Sequence, residues 1–149
     1  MAYKTPVSVL VLIHAADLQV LLLERADKKG FWQSVTGSLE AGETPYDAAI
    51  REVAEETGLD ATQYKLSDWQ FSNVYEIYPY WRYRYAPDVT HNTEHVFGLE
   101  LPAALPVKLA SGEHVRYEWV DWRAAAIRVF SWTNVMALRE LGKRHGLVL

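Results

Sequence analysis

Glu52, Glu55 and Glu56 stand at i, i+3 and i+4 within the stretch Gly37 to Leu59, GSLEAGETPYDAAIREVAEETGL. If that stretch is helical, about 100° per residue gathers the three carboxylates within roughly a 100° arc of one face. Adjacent carboxylates repel, so an isolated helix gains nothing from them. A hard divalent cation converts the cost into binding, because Mg2+ takes oxygen ligands and is usually shared with substrate phosphates. A solvated acidic face is the competing reading of such a cluster taken alone.

The flanking residues supply the element that must carry these acids. Thr44 reads as an N-cap, with Pro45 at the favoured first helical position and Asp47 where a capping box wants an acid. Gly58 is the expected C-terminal stop. Ala49, Ile50, Val53 and Ala54 are expected to bury the side opposite the carboxylates. Gly37 and Gly42 read as turn glycines, free to take conformations closed to other residues.

The whole spacing, G-x5-E-x7-R-E-U-x-E-E-x-G-U with U a bulky aliphatic, is matched without a gap over 23 residues. On this motif the chain resembles the Nudix hydrolases. The resemblance implies a mixed β-sheet sandwiched between α-helices, an α/β (α+β) fold in one domain over residues 1–149. It implies an enzyme that cleaves a diphosphate linked to another moiety, with Mg2+ as cofactor and Mn2+ as a possible substitute. Carried over residue by residue, Glu52, Glu55 and Glu56 become metal ligands, joined by the Gly37 carbonyl. Arg51 becomes the residue that orients the carboxylates. The common Pro-Gly-Gly entry to the motif reads Thr36-Gly37-Ser38 here, a departure that leaves every metal ligand in place. Family members often bring a further carboxylate from a late loop; Glu113 in Ser111-Gly112-Glu113-His114 suits that role better than Glu118, which lies inside a strand.

Outside the motif the composition sets limits. A chain of 149 residues, 50% hydrophobic, is long enough for a sizeable core. No apolar run reaches the ~18 residues that would span a bilayer, and no signal peptide is expected. With no cysteine there is no disulfide and no thiolate chemistry, which fits a cytoplasmic protein. A net charge of −4 argues against broad nucleic-acid binding. The expected partner is a small-molecule triphosphate, which needs a metal or a local basic patch to approach an acidic protein. Oligomeric state is not legible.

Strands are expected at 5–13, 19–25, 31–36, 66–76, 93–101 and 115–120, with Asp121 capping a short helix and Ser131 capping a last one to about His145. The segment Tyr80 to Tyr85, YWRYRY, reads at a period of two, with Trp81, Tyr83 and Tyr85 on one side and Tyr80, Arg82 and Arg84 on the other. Arg82 or Arg84 is then a candidate phosphate clamp or part of a ring-recognition wall. Arg25, ending its strand, is a candidate phosphate partner. Trp32 offers a face for stacking on a heterocycle. Asn92, in the polar run Thr90, Asn92 and Thr93, is a candidate for hydrogen bonding a ring. His91, His95 and His114 lack metal spacing and read as ordinary.

Three further segments, FWQSVTGSLEAGETPYDAAIREVAEETG, RYAPDVTHNTEHVF and EHVRYEW, are similar to the branch of the Nudix family that acts on dihydroneopterin triphosphate. That similarity implies hydrolysis of this substrate to dihydroneopterin monophosphate and pyrophosphate, a step of folate biosynthesis. Within the same chemistry, a nucleoside triphosphate pyrophosphatase acting on ordinary or damaged nucleotides is the alternative. Of the candidate general bases Glu56, Glu55 and Glu113, Glu56 is preferred.

Overall fold

The computed structural model describes residues 2–149. Strand β1, Val7–Ala15, lies at the centre and is buried along almost all its length, as an apolar β-branched run flanked on both faces must be. Strand β2, Gln19–Arg25, returns antiparallel to it. The chain expected as one strand at 31–36 is broken into β3, Trp32–Gln33, and β4, Val35–Ser38. The break falls at Ser34, whose backbone N–H donates to Asn134 Oδ1 at 2.8 Å. That bond lets the chain leave β2, which β3 pairs, and join β1, which β4 pairs.

Helix α1, Pro45–Thr57, follows. Thr44 caps it by accepting from the Asp47 N–H, and Gly58 closes it at φ 75°, a left-handed conformation glycine adopts without cost. The long strand β5, Lys65–Glu76, pairs antiparallel with β6, His91–Leu101, which runs parallel to β1. Strand β7, His114–Asp121, pairs with β2. Helices α2, Trp122–Arg128, and α3, Trp132–Arg144, complete the chain, capped by Asp121 and Ser131.

Alternation along β1 assigns its two faces. Val9, Val11 and Ile13 join Ala48, Ala49 and Val53 of α1 in one core. Leu10 and Leu12 join Trp122, Leu138 and Leu141 of α2 and α3 in the other. Each such buried Leu is worth roughly 1.5–3 kcal/mol, so the mixed sheet between helices is a stiff platform. Ala54, expected to be buried, is exposed; Ala48 takes its place against the sheet.

The segment at Tyr80 to Tyr85 departs from the expected alternation. It forms a 3-10 helix, Pro79–Arg84, with Pro79 at the favoured helical start. A six-residue aromatic run carries both periods equally well, and the proline decides for the helix. Among the described residues, no helix is long and apolar enough to cross a membrane.

Candidate active site

Beside β4 and the second half of α1 lies a cavity of about 500 Å3. Glu52 and Glu56, one turn apart on α1, line it, together with Thr36, Gly37 and Ser38 of β4 and Glu113 of the loop before β7. Gly37 is not a turn residue. It is extended and pairs with Val9, and a Cβ added there would collide with the Glu52 carboxylate. The glycine makes room for the acid.

Arg51 organises the carboxylates. Its Nε and Nη2 donate to the two oxygens of Glu43 at 2.7 and 2.9 Å. Nη2 also donates to the Ser38 carbonyl at 3.0 Å, and Nη1 to Glu52 Oε2 at 3.0 Å. Glu55 accepts from Nη1 only at 3.4 Å, is exposed, and does not line the cavity. The first acid of the motif, Glu43, therefore holds the arginine and does not itself line the cavity. Its carboxyl is kept below the usual range chiefly by the Arg51 hydrogen bond.

Glu56 is 2% exposed. Burial first, and then the neighbouring Glu52, pushes its carboxyl well above the ordinary value. Glu52 is pushed up as well, again by burial, with Arg51 opposing. Glu56 Oε1 has no hydrogen-bond partner. It lies 3.9 Å from His114 Nδ1, which is equally buried and unpartnered.

The protonation of His114 follows from its neighbours. Arg25 Nη1 donates to Gln33 Oε1 at 3.3 Å, so the Gln33 amide nitrogen must face His114, at 3.1 Å from its Nε2. An amide nitrogen only donates. His114 Nε2 is therefore the acceptor, and the ring proton sits on Nδ1, facing Glu56. Burial, then the Arg25 charge, pulls the imidazole down to about 4, so it is neutral at pH 7. The sequence offered no sign of this role: one histidine at a strand start looks like any other.

The remaining candidates divide. Arg25 lines the cavity and forms a fork with Asp27 at 2.7 and 2.8 Å, its guanidinium 4.3 Å above the Trp81 ring. That fork holds Asp27 at about 2. Arg84 lines the cavity and reaches Asp27 Oδ2 at 3.3 Å, whereas Arg82 does not line it. Trp32 is buried in the core under α2 and α3, with Arg128 over its ring at 4.5 Å, and offers no face to the cavity. Asn92 is buried behind the wall. Its Nδ2 donates to Ser8 Oγ at 2.7 Å and Tyr75 Oη at 3.1 Å, and those two line the cavity in its stead. Lys4, Glu94 and an aromatic group of Tyr78, Trp81 and Phe130 also line it and were not picked out from the sequence.

The donor set suits a divalent cation on three grounds. Its oxygens are hard, one buried oxygen lacks a partner, and two acids sit where burial penalises both charges. Among the described residues, no three His, Asp or Glu side chains converge closely enough to hold an ion as they stand. The cavity also carries Asp27, Glu52, Glu56, Glu76, Glu94 and Glu113 against Lys4, Arg25 and Arg84. A polyanion entering so acidic a cavity needs added positive charge.

The family model of the NUDIX domain matches residues 4–140. The dihydroneopterin triphosphate diphosphatase of Escherichia coli (strain K12) is 48% identical over 141 residues, 93% of this chain and 93% of that protein. The dihydroneopterin triphosphate diphosphatase of Haemophilus influenzae is 41% identical over 143 residues, 94% of this chain and 89% of that one. A solved structure of the E. coli dihydroneopterin triphosphate pyrophosphohydrolase superimposes with a TM-score of 0.88, covering 94% of this chain and 97% of the other at 48% identity.

Proposed function

Because the chain belongs to the Nudix hydrolase family and is a pyrophosphohydrolase of it, we propose that it hydrolyses dihydroneopterin triphosphate to dihydroneopterin monophosphate and pyrophosphate with Mg2+. The substrate is taken from the names of the E. coli and H. influenzae relatives. The observation that carries the reading is the buried pair Glu52 and Glu56 on one turn of α1, pushed up together beside an unpartnered oxygen.

In this reading Glu52, Glu56 and Glu113, with the Gly37 carbonyl, would hold Mg2+, and Glu55, exposed beside them on α1, would be the remaining acid of the set. When bound, Mg2+ lowers the pKa of a coordinated water and neutralises charge on the departing pyrophosphate. The protein's own groups do the rest. Glu56 Oε1, which no protein group hydrogen-bonds, takes the water's proton. Neutral His114 directs its Nδ1–H toward that carboxylate and adds no competing charge. Arg51 keeps Glu52 in place through a fork that also grips Glu43 and Ser38. Lys4, Arg25 and Arg84 provide the fixed positive charge that draws a triphosphate in.

Metal binding can be read without turnover. Titration of the substrate-free protein with Mn2+, followed by calorimetry, is expected to show binding that weakens at least about tenfold in Glu52→Gln and Glu56→Gln, by loss of a charged ligand. Equal affinity in wild type and both variants would remove these two residues from the metal site.

A further inference from the structure

Glu94 is a buried acid of the cavity that this mechanism leaves unused. On β6 it alternates with Asn92 and Val96 on the face that α3 covers further along the strand. Its partner on β1 is Ser8, and the partner of Ser8 on β4 is Ser38. Paired residues share a face, so Ser38, Ser8 and Glu94 form one row across three strands, all lining the cavity. Two strand spacings, roughly 10 Å, separate the ends of that row. The row therefore runs from the end of β4, next to Gly37, to a second polar group across the sheet.

The surroundings of Glu94 are unlike those of a surface acid. The residue is 4% exposed, and its Oε1 has no hydrogen-bond partner. Burial pushes the carboxyl up to about 7, with the Thr133 hydroxyl the one neighbour pulling it down. Among the described residues, no cation forms an ion pair with it. Retaining an unpaired carboxyl in such a place costs free energy, which a ligand's N–H groups would offset. Half-buried rings lie along the same cavity: Tyr78 and Trp81 stand 6.0 and 5.9 Å from Phe130, centroid to centroid.

An ionised carboxylate only accepts, and it accepts best from two parallel N–H donors in one plane. The 2-amino-4-oxo pyrimidine edge of pterins and of guanine presents such a pair, a ring N–H beside an exocyclic amino group. Adenine presents one donor beside one acceptor and leaves the carboxylate half-matched. We propose that Glu94 is the specificity-determining residue of this site, accepting the ring N–H and 2-amino donors of a 2-amino-4-oxo heterocycle held against Tyr78, Trp81 and Phe130. The proposal rests on the triphosphate reading above and adds the ring that the enzyme selects.

GTP and ITP differ only in the 2-amino group, so they isolate the contact. With wild-type protein and Mg2+, kcat/KM for GTP is expected to exceed that for ITP by about 10–100-fold, the range for a hydrogen bond to a charged group. In Glu94→Gln the ratio falls to near one, and dihydroneopterin triphosphate loses a similar factor while the Mn2+ affinity of the protein stays that of wild type. Equal wild-type rates on GTP and ITP, both yielding pyrophosphate, would overturn the role of Glu94 and leave the Nudix reading standing. This comparison needs no variant and decides the matter even if Glu94→Gln fails to fold. A GTP preference that survives in folded Glu94→Gln would equally overturn it. No hydrolysis of GTP, ITP or dihydroneopterin triphosphate would overturn the reading beneath and this proposal with it.

Discussion

Replacing Glu56 by Gln is expected to lower kcat by about 10²–10⁴-fold, the range for a lost general base. Steady-state turnover of the purified variant at saturating Mg2+, beside its thermal melting curve, checks it. The amide keeps the shape of the side chain but can neither take a proton nor supply a charge to a cation. Stability moves little or rises, because Glu56 in its ionised form is penalised by burial and by Glu52. A fall in activity with a preserved melt is the signature of a functional carboxylate. Near-normal turnover would remove Glu56 from the chemistry and shift attention to Glu113, which shares the cavity.

The second large effect belongs to Arg51. Arg51→Ala is expected to cost about 3 kcal/mol of stability, at the lower edge of the range for breaking a buried ion pair. Its side chain is 20% exposed, so solvent screens part of the loss. The change strips Glu43 of the two Arg51 nitrogens, leaving it the Glu40 N–H, and removes the Arg51 hydrogen bonds to Glu52 and the Ser38 carbonyl. Urea denaturation reads the loss as a lower midpoint at unchanged slope. Arg51→Lys is expected to recover little of it, because a single ammonium cannot span Glu43, Ser38 and Glu52 at once. A variant with wild-type stability would mean that these bonds are merely exchanged for water.

The parts of the site legible in the sequence are those held by local geometry. Glu52 and Glu56 share a face because they are four residues apart on a helix whose caps, Thr44 and Gly58, are written in the same stretch. Glu113 was separable from Glu118 because one sits in a loop and the other in a strand; Glu118 indeed lies outside the cavity, paired with Arg128 at 2.8 Å. What could not be read depends on distant strands. Trp32 and Asn92 have suitable chemistry, yet their strands turn them into the core and behind Ser8 and Tyr75. Glu94 looks like any strand glutamate until β1 and the start of α3 close around it. His114 gains its meaning from Gln33, 81 residues away in the chain. At Tyr80 to Tyr85 an alternating pattern was present, but Pro79 opens a 3-10 helix, which brings Arg84 to the cavity and not Arg82.

Phosphorus NMR of the products formed from dihydroneopterin triphosphate in the presence of Mg2+ tests the central claim most directly. If the two terminal phosphates leave together, the reaction should yield pyrophosphate and dihydroneopterin monophosphate in equal amounts, and chelation with EDTA should stop it. Early appearance of orthophosphate, or turnover indifferent to EDTA, would contradict the account.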